Sequence, residues 1–503
     1  MSDPRERFQP ITSLVALFFA CLLLCGIASA AHSITLSKKS GPPTSKILVS
    51  GRGFEPNVGV DIFFDTKDKA LVVTNGKGEF DDSRIYAPRS AGPGEHWVTA
   101  LERNNDKGAQ EPFLVQTDWS QFRYGPEREG SNPFENVLNP QTVGNLKVKW
   151  TYNTGFPYAS GSPLVVNGMV YVSSDLDLYA LNATTGHLRW KFTPAKEDFI
   201  DSNPAVANGV LYLGTDYNGL YAFSAQTGAV LWNYTYVNEW VSTPLVADGL
   251  VFFGDREGYF YALSAPSGTL VWKSRLGSGN ISSPASFANG VVYVAGGDGN
   301  LYALNAKTGA KLWMFTNGYF YSASPTVADG VVYLGSNLVG YPNKLYAVNA
   351  STGVQLWSYS TSDVVQSSPA VADGVVYFSS EETLYALNAY NGDLLWSYAT
   401  GAYTLSDATI ADGVVYVGSA YPNNVAALNA TSGTLLWSYA TGGWVQDPTV
   451  VNSTVYVASY NDGIVYAFAR NSQANGKRPG LKELYPDFNL TPSQQLTTRS
   501  AHD

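Results

Sequence analysis

The sequence predicts an all-β protein, in which a small N-terminal β-sandwich precedes an eight-bladed β-propeller of four-stranded blades. A repeated segment predicts the propeller. In its 301–313 copy the segment reads LYALNAKTGAKLW, and each full copy has a strand, a turn and a tryptophan in the same order. Successive tryptophans are 39 to 44 residues apart, which is the length of one four-stranded blade. The tryptophans concerned are Trp150, Trp190, Trp232, Trp272, Trp313, Trp357, Trp396 and Trp437.

The composition agrees with this fold class. Aromatic residues make up 14% of the chain, charged residues make up another 14%, and there are 48 glycines. Such a mixture is typical of many short aromatic strands joined by tight turns. The net charge of −10 disfavours partners that are themselves anionic, such as nucleic acids and acidic membrane surfaces.

The fourth repeat shows how one blade is built. Its four strands are predicted at 283–288, 291–296, 301–306 and 310–315. Seven repeats place Asn-Gly or Asp-Gly between the first two strands, and these dipeptides tolerate the positive φ angles of a tight hairpin turn. A glycine such as Gly309 relieves similar strain in the turn before the tryptophan. We therefore expect each tryptophan to pack against a neighbouring blade as core, and not to form a ligand-stacking row.

The eighth repeat indicates how the ring closes. Residues 447–469 supply three strands and no tryptophan strand. The missing strand is predicted at 146–150, the segment LKVKW, which precedes the first repeat. Pairing of this strand with the last repeat would leave no long exposed sheet edge.

The first 30 residues have the pattern of a signal peptide. Arg5 and Arg7 precede an apolar run, and the small residues ASA at 28–30 fit a cleavage site. A lipid anchor on Cys25 is disfavoured because Leu24 stands where a small residue is expected. Cleavage would remove both cysteines, so the exported chain would contain neither a disulfide nor a thiolate metal site. The prediction is a secreted protein, periplasmic or extracellular.

Two segments flank the repeats. Residues 31–117 alternate short apolar runs with Gly/Pro turns, which predicts the β-sandwich. The stretches ITLSKKSGPP, VSGRGFEPN and TNGKGEF resemble bacterial Ig-like domains of the IPT/TIG kind. The propeller is predicted over 118–469, beginning with a polar connector. Residues 470–503 are polar with scattered prolines, and we expect a mobile tail there.

The repeat pattern YALNAxTGxxxW resembles the tryptophan-docking repeat of the pyrroloquinoline quinone (PQQ) propeller superfamily. The segment WSQFRYGPEREGSNP is similar to the lead-in of the same family, so the resemblance covers 118–469. This superfamily includes quinone-dependent alcohol dehydrogenases and also cofactor-free propellers such as the outer-membrane assembly factor BamB. The fold alone therefore does not decide the function.

The resemblance to the dehydrogenases implies a quinone in the central funnel, a disulfide between adjacent cysteines, a calcium ion held by Glu, Asn and Asp, and a catalytic Asp. No motif in this sequence carries the calcium ligands or the catalytic Asp onto particular positions. We therefore predict no catalytic residues, no metal ligands and no cofactor, with PQQ and calcium as the alternative.

The variable segments between each tryptophan strand and the next blade are the candidate binding region. They would gather around one mouth of the channel, and loops on a rigid scaffold are frequent binding sites. Two interpretations stay open: aromatic filler with polar strand caps, or an aromatic and acidic recognition surface. The candidate ligand-binding residues are Tyr158, Phe199, Asp201, Trp240, Tyr321, Tyr403, Asp407, Trp444 and Asp447.

Three functional hypotheses follow. The first is an exported, non-catalytic binding or scaffold protein that presents a propeller face to a protein or other ligand in the cell envelope or outside it. The alternative is a periplasmic PQQ-dependent alcohol or sugar dehydrogenase, and a third hypothesis is carbohydrate binding. We expect no nucleic-acid partner and no transmembrane segment in the mature chain. The sequence leaves the partner, the oligomeric state and any attachment to the envelope open.

Overall fold

The structure is a computed structural model that describes residues 31–103, 105, 107–156, 161–195, 198–200, 202–235, 240–316, 320, 323–336, 343–401, 406–471, 478–481 and 484. The chain divides into two compact units. Unit 1 comprises residues 1–88, 94–115 and 475–503, and unit 2 comprises residues 89–93 and 116–474.

The described residues of unit 1 form two β-sheets. One has the order β1-β3-β6 and the other the order β2-β8-β7-β4-β5. Buried residues alternate along several strands, as expected when one face of a sheet covers a core. The strands are β1 (Ser33–Leu36), β2 (Ser40–Gly41), β3 (Lys46–Arg52), β4 (Gly59–Phe64), β5 (Lys67–Val73), β6 (Phe80–Tyr86), β7 (Gly94–Glu102) and β8 (Gly108–Val115).

Of the described tail residues, 478–481 and 484 belong to unit 1. Leu484 is buried against Phe63 and Leu101. Arg478 lies over the ring of Trp97, with its guanidinium carbon 4.7 Å from the ring centroid, and donates a hydrogen bond to Gln110 Oε1 (2.6 Å). The interpretation of 470–503 as a polar, mobile tail does not predict these contacts. They are made by one arginine and a few apolar side chains, which are scattered among polar residues and form no recognisable sequence pattern.

The described residues of unit 2 form eight sheets that follow the repeats, and we call them ring sheets 1 to 8. Ring sheets 1 to 7 each take four consecutive strands, and β9 extends ring sheet 7 in parallel. Ring sheet 8 has the order β10-β41-β40-β39. Before the first ring sheet lie β9 (Ser131–Asn132), a single 3-10 turn (Val143–Asn145) and β10 (Lys147–Asn153).

The strands of ring sheets 1 to 4 are β11 (Leu164–Val166), β12 (Met169–Ser173), β13 (Leu178–Asn182), β14 (Leu188–Phe192), β15 (Ala205–Ala207), β16 (Val210–Thr215), β17 (Gly219–Ser224), β18 (Val230–Tyr234), β19 (Leu245–Ala247), β20 (Leu250–Gly254), β21 (Tyr259–Ser264), β22 (Leu270–Arg275), β23 (Ser286–Ala288), β24 (Val291–Ala295), β25 (Leu301–Asn305) and β26 (Lys311–Phe315).

Those of ring sheets 5 to 8 are β27 (Thr326–Ala328), β28 (Val331–Gly335), β29 (Lys344–Asn349), β30 (Gln355–Ser360), β31 (Ala370–Ala372), β32 (Val375–Ser380), β33 (Thr383–Asn388), β34 (Leu394–Ala399), β35 (Thr409–Ala411), β36 (Val414–Ala420), β37 (Asn423–Asn429), β38 (Leu435–Ala440), β39 (Thr449–Val451), β40 (Thr454–Ser459) and β41 (Ile464–Ala469).

The predicted pairing of the N-terminal strand with the last repeat is confirmed. β10 runs antiparallel to β41, with Trp150 opposite Ala467 and Asn153 opposite Ile464. The strand is longer than the predicted 146–150, because it continues to Asn153. The first strands of ring sheets 8 and 1 also contact each other.

The predicted hairpin turns are confirmed as well. In ring sheets 1 to 7 the turn between the first and second strands begins with Asn or Asp, whose φ lies between 43° and 51°. The glycine that follows has φ between 73° and 78°. Ring sheet 8 uses Asn452 (φ 53°) and Ser453 (φ 58°) in the same left-handed conformation. These turns keep the first and second strands tightly paired, and both strands are mostly buried.

Seven of the eight repeat tryptophans, all except Trp437, dock on a glycine turn of the next ring sheet, as predicted. A Cβ atom added to Gly353 would lie 2.8 Å from the indole of Trp313, so only glycine allows this approach. The indole N–H of Trp313 donates a hydrogen bond to the carbonyl of Ala350 (3.0 Å). The same N–H to carbonyl bond joins Trp150 to Ala183, Trp190 to Ala225, Trp232 to Ala265, Trp272 to Ala306, Trp357 to Ala389 and Trp396 to Ala430.

Candidate functional site

The segment that sequence analysis described as a polar connector, similar to the lead-in of the PQQ family, runs along the inner strands of the ring sheets. Residues 118–136, the axial connector, pair with the middle residue of every inner strand in turn. The pairing uses backbone groups except at Gln121 and Asn132, whose side chains take part. The pairs from ring sheet 1 to ring sheet 8 are Val165 with Trp119, Val206 with Ser120, Val246 with Gln121, Phe287 with Pro126, Val327 with Glu127, Val371 with Glu129, Ile410 with Gly130, and Val450 with Asn132.

Two buried arginines of the axial connector are held by carbonyl groups of the ring. Arg128 is fully buried and donates to the carbonyls of Ala285 (2.8 Å), Phe122 (2.8 Å) and Pro244 (3.2 Å). Burial, followed by the charge of Arg123, lowers the pKa of Arg128 to about 9. The guanidinium still carries its charge at neutral pH and ties the axial connector to ring sheets 3 and 4.

Arg123 has a carboxylate partner. Its Nη1 lies 2.9 Å from Asp407 Oδ2, and it also donates to the carbonyls of Ser368 and Pro369. Both side chains of this ion pair are nearly or fully shielded from solvent. A buried ion pair of this kind is strongly destabilised when one partner is removed, since the other charge then stays buried alone.

A ring of polar side chains stands directly before the inner strands, and we call it the girdle. In most steps the side chain of one girdle residue accepts a hydrogen bond from the backbone N–H of the equivalent residue in the preceding ring sheet. Ser162 N–H donates to Asn203 Oδ1 (2.7 Å), and Ser368 N–H donates to Asp407 Oδ1 (2.6 Å). The girdle consists of Ser162, Asn203, Thr243, Ser283, Ser324, Ser368, Asp407 and Asp447.

The girdle closes between ring sheets 8 and 1. Asp407 N–H donates to Asp447 Oδ1 (2.6 Å), and the hydroxyl of Ser162 donates to Asp447 Oδ2 (2.7 Å). Burial first, and the charge of Asp407 second, raise the pKa of Asp447 to about 7. Each of the four side-chain oxygens of Asp407 and Asp447 has a hydrogen-bond or ion-pair partner in the protein.

The structure brings together only part of the predicted binding region. Asp407 and Asp447 are neighbours in the girdle. Phe199 is exposed, and Trp240 is partly buried. Trp444 is partly buried and stacks on Tyr460, with ring centroids 5.7 Å apart. The remaining predicted residues, Tyr158, Asp201, Tyr321 and Tyr403, lie outside the described residues.

Sequence reasoning missed Arg123, Arg128 and the girdle. One signal was available for the girdle: six of its eight members are small polar residues, Ser, Thr or Asn, and seven of the eight stand directly before a proline. Proline fixes the chain direction and lacks an N–H, so the polar residue before it can turn its side chain toward the neighbouring sheet. No comparable local pattern marks the two arginines, because their partners are carbonyls far away in sequence.

The comparisons with known proteins agree with the fold. The family described as outer membrane protein assembly factor BamB matches residues 174–280, 256–404 and 400–478, which together cover more than half of the chain. The chain belongs to this family. A second family, described as the β-propeller domain of glucose/ethanol/alcohol dehydrogenase, matches residues 119–202.

Two solved structures correspond to these two families. BamB from Moraxella catarrhalis is 20% identical and superposes with a TM-score of 0.55, covering 64% of this chain and 99% of that chain. The quinohemoprotein alcohol dehydrogenase ADHIIG from Pseudomonas putida is 16% identical, with a TM-score of 0.58, and covers 72% and 81% respectively. At these identities the likeness concerns the fold.

The curated relatives are mainly dehydrogenases. The dehydrogenase subunit of the quinone alcohol dehydrogenase from Gluconobacter oxydans is 30% identical over 127 residues, which are 23% of this chain and 17% of that protein. The chain spans about a fifth of the length of the curated relatives it matches first. These relatives favour the quinone-dependent alternative, and none of them supports a non-catalytic role.

The described residues offer no ligand set for a metal ion such as the lanthanide in the names of two curated relatives. Among the described residues no group of three or more His, Cys, Asp or Glu side chains could hold a metal ion. The one acidic pair of the girdle is already occupied, since a cation at Asp407 would have to displace Arg123. No helix in the described part of the chain is both long and apolar enough to cross a membrane.

Proposed function

We propose that this chain is an exported, non-catalytic binding protein. In this proposal an Ig-like module precedes an eight-bladed propeller, and the mouth above the girdle presents a surface to a protein or other ligand in the cell envelope or outside it. One observation carries the proposal. The side-chain oxygens of Asp407 and Asp447, the two acidic residues of the girdle, are engaged in girdle hydrogen bonds and in the ion pair with Arg123.

Membership of the family described as an outer membrane assembly factor supports a binding role. The exposed ring of Phe199 and the partly exposed ring of Trp240 supply apolar contact area at the mouth. Aromatic side chains are enriched at protein interfaces because they bury a large area at a low entropic cost. The ligand would then contact loops that differ between repeats, and the rigid girdle below would hold those loops in place.

The second candidate is a periplasmic quinone-dependent alcohol dehydrogenase. The observation that favours it is that several curated relatives are named as quinone-dependent or lanthanide-dependent dehydrogenases. Under this alternative the cofactor would have to be held by mouth residues, because the girdle carboxylates are engaged.

A titration separates the two candidates. The chain from Ala31 onward is mixed with PQQ and either calcium or lanthanum while tryptophan fluorescence and alcohol-dependent dye reduction are recorded. The proposal predicts neither a saturable fluorescence change nor dye reduction. Saturable binding with metal-dependent dye reduction would establish the dehydrogenase instead.

A capture experiment tests the binding surface itself. The wild-type chain and a Phe199→Ala, Trp240→Ala double variant are immobilised and exposed to envelope extract. The proposal predicts that the double variant loses a partner that the wild type retains, with an unchanged melting temperature. A Tyr390→Ala variant is the matched control, since Tyr390 is exposed in the turn between the third and fourth strands of ring sheet 6. Equal capture by all three proteins would refute the mouth as the binding surface.

A further inference from the structure

Two adjoining cavities lie beside the turns that follow the inner strands, at the other end of these strands from the girdle. The larger cavity has a volume of about 490 Å³ and lies between ring sheets 4 and 5. The smaller, of about 280 Å³, lies along ring sheets 5 to 7. Glu129, Ala328 and Asp329 line both cavities, and we call the two together the turn-side groove.

The turn-side groove is lined by carboxylates that have no partner in the protein. Three of them belong to the turns of consecutive ring sheets, 5 to 7, and two come from the axial connector. Arg89, beside Asp412, is the one basic side chain that lines the groove within the described residues. The side chains that make neither a hydrogen bond nor an ion pair to any described residue are Glu127, Glu129, Asp329, Asp373 and Asp412.

The hairpin turns themselves do not require these charges. In ring sheets 1, 2, 4 and 8 the same turn position is Asn, with φ between 49° and 53°, so asparagine would serve equally well in ring sheets 5 to 7. The carboxylates also act on one another. Burial first, and then the charges of Glu127 and Asp329, raise the pKa of Glu129 to about 7. A cation bound between carboxylates that repel one another would relieve this repulsion.

The larger cavity has an apolar wall beside its carboxylates. Tyr293, Leu312, Trp313 and Val327 line it, and the side chain of Leu312 is 52% exposed. The hydroxyl of Tyr293 and the indole N–H of Trp313 both donate to the carbonyl of Ala350, so their polar groups are already used. A ligand in this cavity therefore meets apolar surface and negative charge together.

This combination selects the kind of cation. In the described part of the chain no group of three or more acidic, His or Cys side chains could hold a metal ion, so a single point charge does not fit. A linear alkyl polyamine carries ammonium groups along an apolar chain. The ammonium groups donate hydrogen bonds to separate carboxylates, and the methylene groups pack on the apolar wall. A basic peptide would bring backbone N–H and C=O groups to a wall that cannot pair with them.

We infer that the turn-side groove binds a linear alkyl polyamine. Its ammonium groups pair with the carboxylates of the groove, and its methylene chain packs against Leu312 and Trp313. The groove and the mouth lie at opposite ends of the inner strands, so this site is separate from the surface of the proposed function and does not depend on it.

The test is isothermal titration calorimetry of the chain from Ala31 onward with spermidine, a linear triamine, at low ionic strength. We expect saturable binding with a dissociation constant below about 1 mM. Two other trications separate the alternatives. Hexaamminecobalt(III) has no carbon chain, and N-acetyl-trilysine amide carries its ammonium groups on a peptide backbone. Both should bind at least about threefold more weakly than spermidine. If hexaamminecobalt(III) binds equally well, the groove recognises charge alone, and if the peptide binds more tightly, the ligand is a basic peptide. Either result overturns the inference.

A triple variant tests the turn carboxylates. Asp329→Asn, Asp373→Asn and Asp412→Asn together keep the residue type that other ring sheets use in this turn, and they should weaken spermidine binding at least about tenfold. The control has the same change of net charge and should bind within about twofold of the wild type. It replaces three exposed carboxylates that do not line the groove, as Asp248→Asn, Glu257→Gln and Asp393→Asn.

A single variant tests the apolar wall. Leu312→Ser removes apolar surface and leaves every carboxylate in place, so a loss of about threefold or more is expected. Leu356→Ser is the matched control, because Leu356 also precedes a repeat tryptophan, is 50% exposed and does not line the groove. Unchanged melting temperatures show that the variants are folded. The inference is overturned if spermidine does not bind, or if either variant binds spermidine as its control does.

Discussion

The junction between ring sheets 7 and 8 is built differently from the other seven junctions. At a regular junction a tryptophan rests on the glycine of the next repeat and donates its N–H to a carbonyl, as Trp313 does at Gly353 and Ala350. At the junction of ring sheets 7 and 8, which we call the seam, the eighth repeat has no such turn. The ring of Trp437 instead packs edge-on against Phe468, with centroids 5.2 Å apart.

The seam is filled by residues from outside the repeats. Leu138, Val143 and Leu146 are buried in the same cluster as Tyr416 and Phe468. Among the described residues the hydroxyl of Tyr416 has no hydrogen-bond partner, whereas its equivalent Tyr377 donates to the carbonyl of Ala430. A repeat therefore specifies its junction only where the glycine turn before its tryptophan strand is present. At the seam, where this turn is missing, apolar residues from the N-terminal side of the repeats replace the tryptophan–glycine contact.

Deletion of residues 147–153 should have the largest effect on this arrangement. It removes the outer strand of ring sheet 8 together with the regular junction formed by Trp150, and it exposes the edge of β41. We expect loss of the cooperative thermal transition and aggregation, as measured by circular dichroism and size-exclusion chromatography. The control is Lys149→Ser, an exposed position in the same strand. A deletion variant that melts like the control would show that the strand does not close the ring.

The seam should depend on Leu138. This side chain is fully buried, and truncation of a buried leucine to alanine costs about 2 to 5 kcal/mol. Leu138→Ala should therefore lower the free energy of unfolding by that amount in a denaturant titration. A change as small as that of an exposed leucine, such as Leu356→Ala, would mean that the seam is not filled from the N-terminal side.

A regular junction should depend on the glycine under its tryptophan. Gly353 and Gly168 have nearly the same backbone conformation, with φ of 72° and 73°, but only Gly353 has a tryptophan against it. Substitution of either by alanine adds about 1 to 2 kcal/mol of backbone strain. Gly353→Ala adds a clash with Trp313, so its loss of stability should exceed that of Gly168→Ala. Equal losses in denaturant titrations would contradict the docking of the tryptophan.

A further effect concerns the girdle between ring sheets 8 and 1. The pKa of Asp447 is raised to about 7, whereas an unfolded aspartic acid titrates near 4. The folded state therefore binds more protons than the unfolded state between about pH 4 and 7, and the free energy of unfolding falls as the pH rises through this window.

Asp447→Asn removes the titrating carboxyl group. The free energy of unfolding should therefore decrease less between pH 4 and 7 in the variant than in the wild type. The measurement is a series of denaturant titrations of both proteins. Burial also raises the pKa of Glu129, to about 7, but this group remains in both proteins and cancels in the difference. Parallel pH profiles for wild type and variant would contradict the assignment.

The repeat explains why so much of the ring could be predicted from sequence. Asn-Gly and Asp-Gly fix the first hairpin of each sheet, and the glycine before each tryptophan fixes the junction, so both are local signals. The pairing of strand 147–153 with strand 464–469 could be predicted because Trp150 precedes the first repeat, whereas the last repeat lacks a tryptophan strand.

The features that could not be predicted depend on contacts between residues that are far apart in the sequence. Arg128 is satisfied by carbonyls of Ala285 and Pro244, and no local pattern predicts such partners. Asp407 and Asp447, which sequence analysis named as candidate ligand-binding residues, use their oxygens for the girdle and for Arg123. The variable loops that carry most of the candidate residues follow no repeat, and four of those residues lie outside the described part of the chain.

The closure of the ring can be tested most directly by hydrogen exchange of the intact chain. Residues 147–153 are separated from their partner strand 464–469 by the whole length of the ring, so their amides are protected only if the two ends pair. We predict that peptides covering 147–153 exchange as slowly as those covering 311–315, the equivalent strand of ring sheet 4. Rapid exchange of 147–153 beside a protected ring sheet 4 would contradict the account.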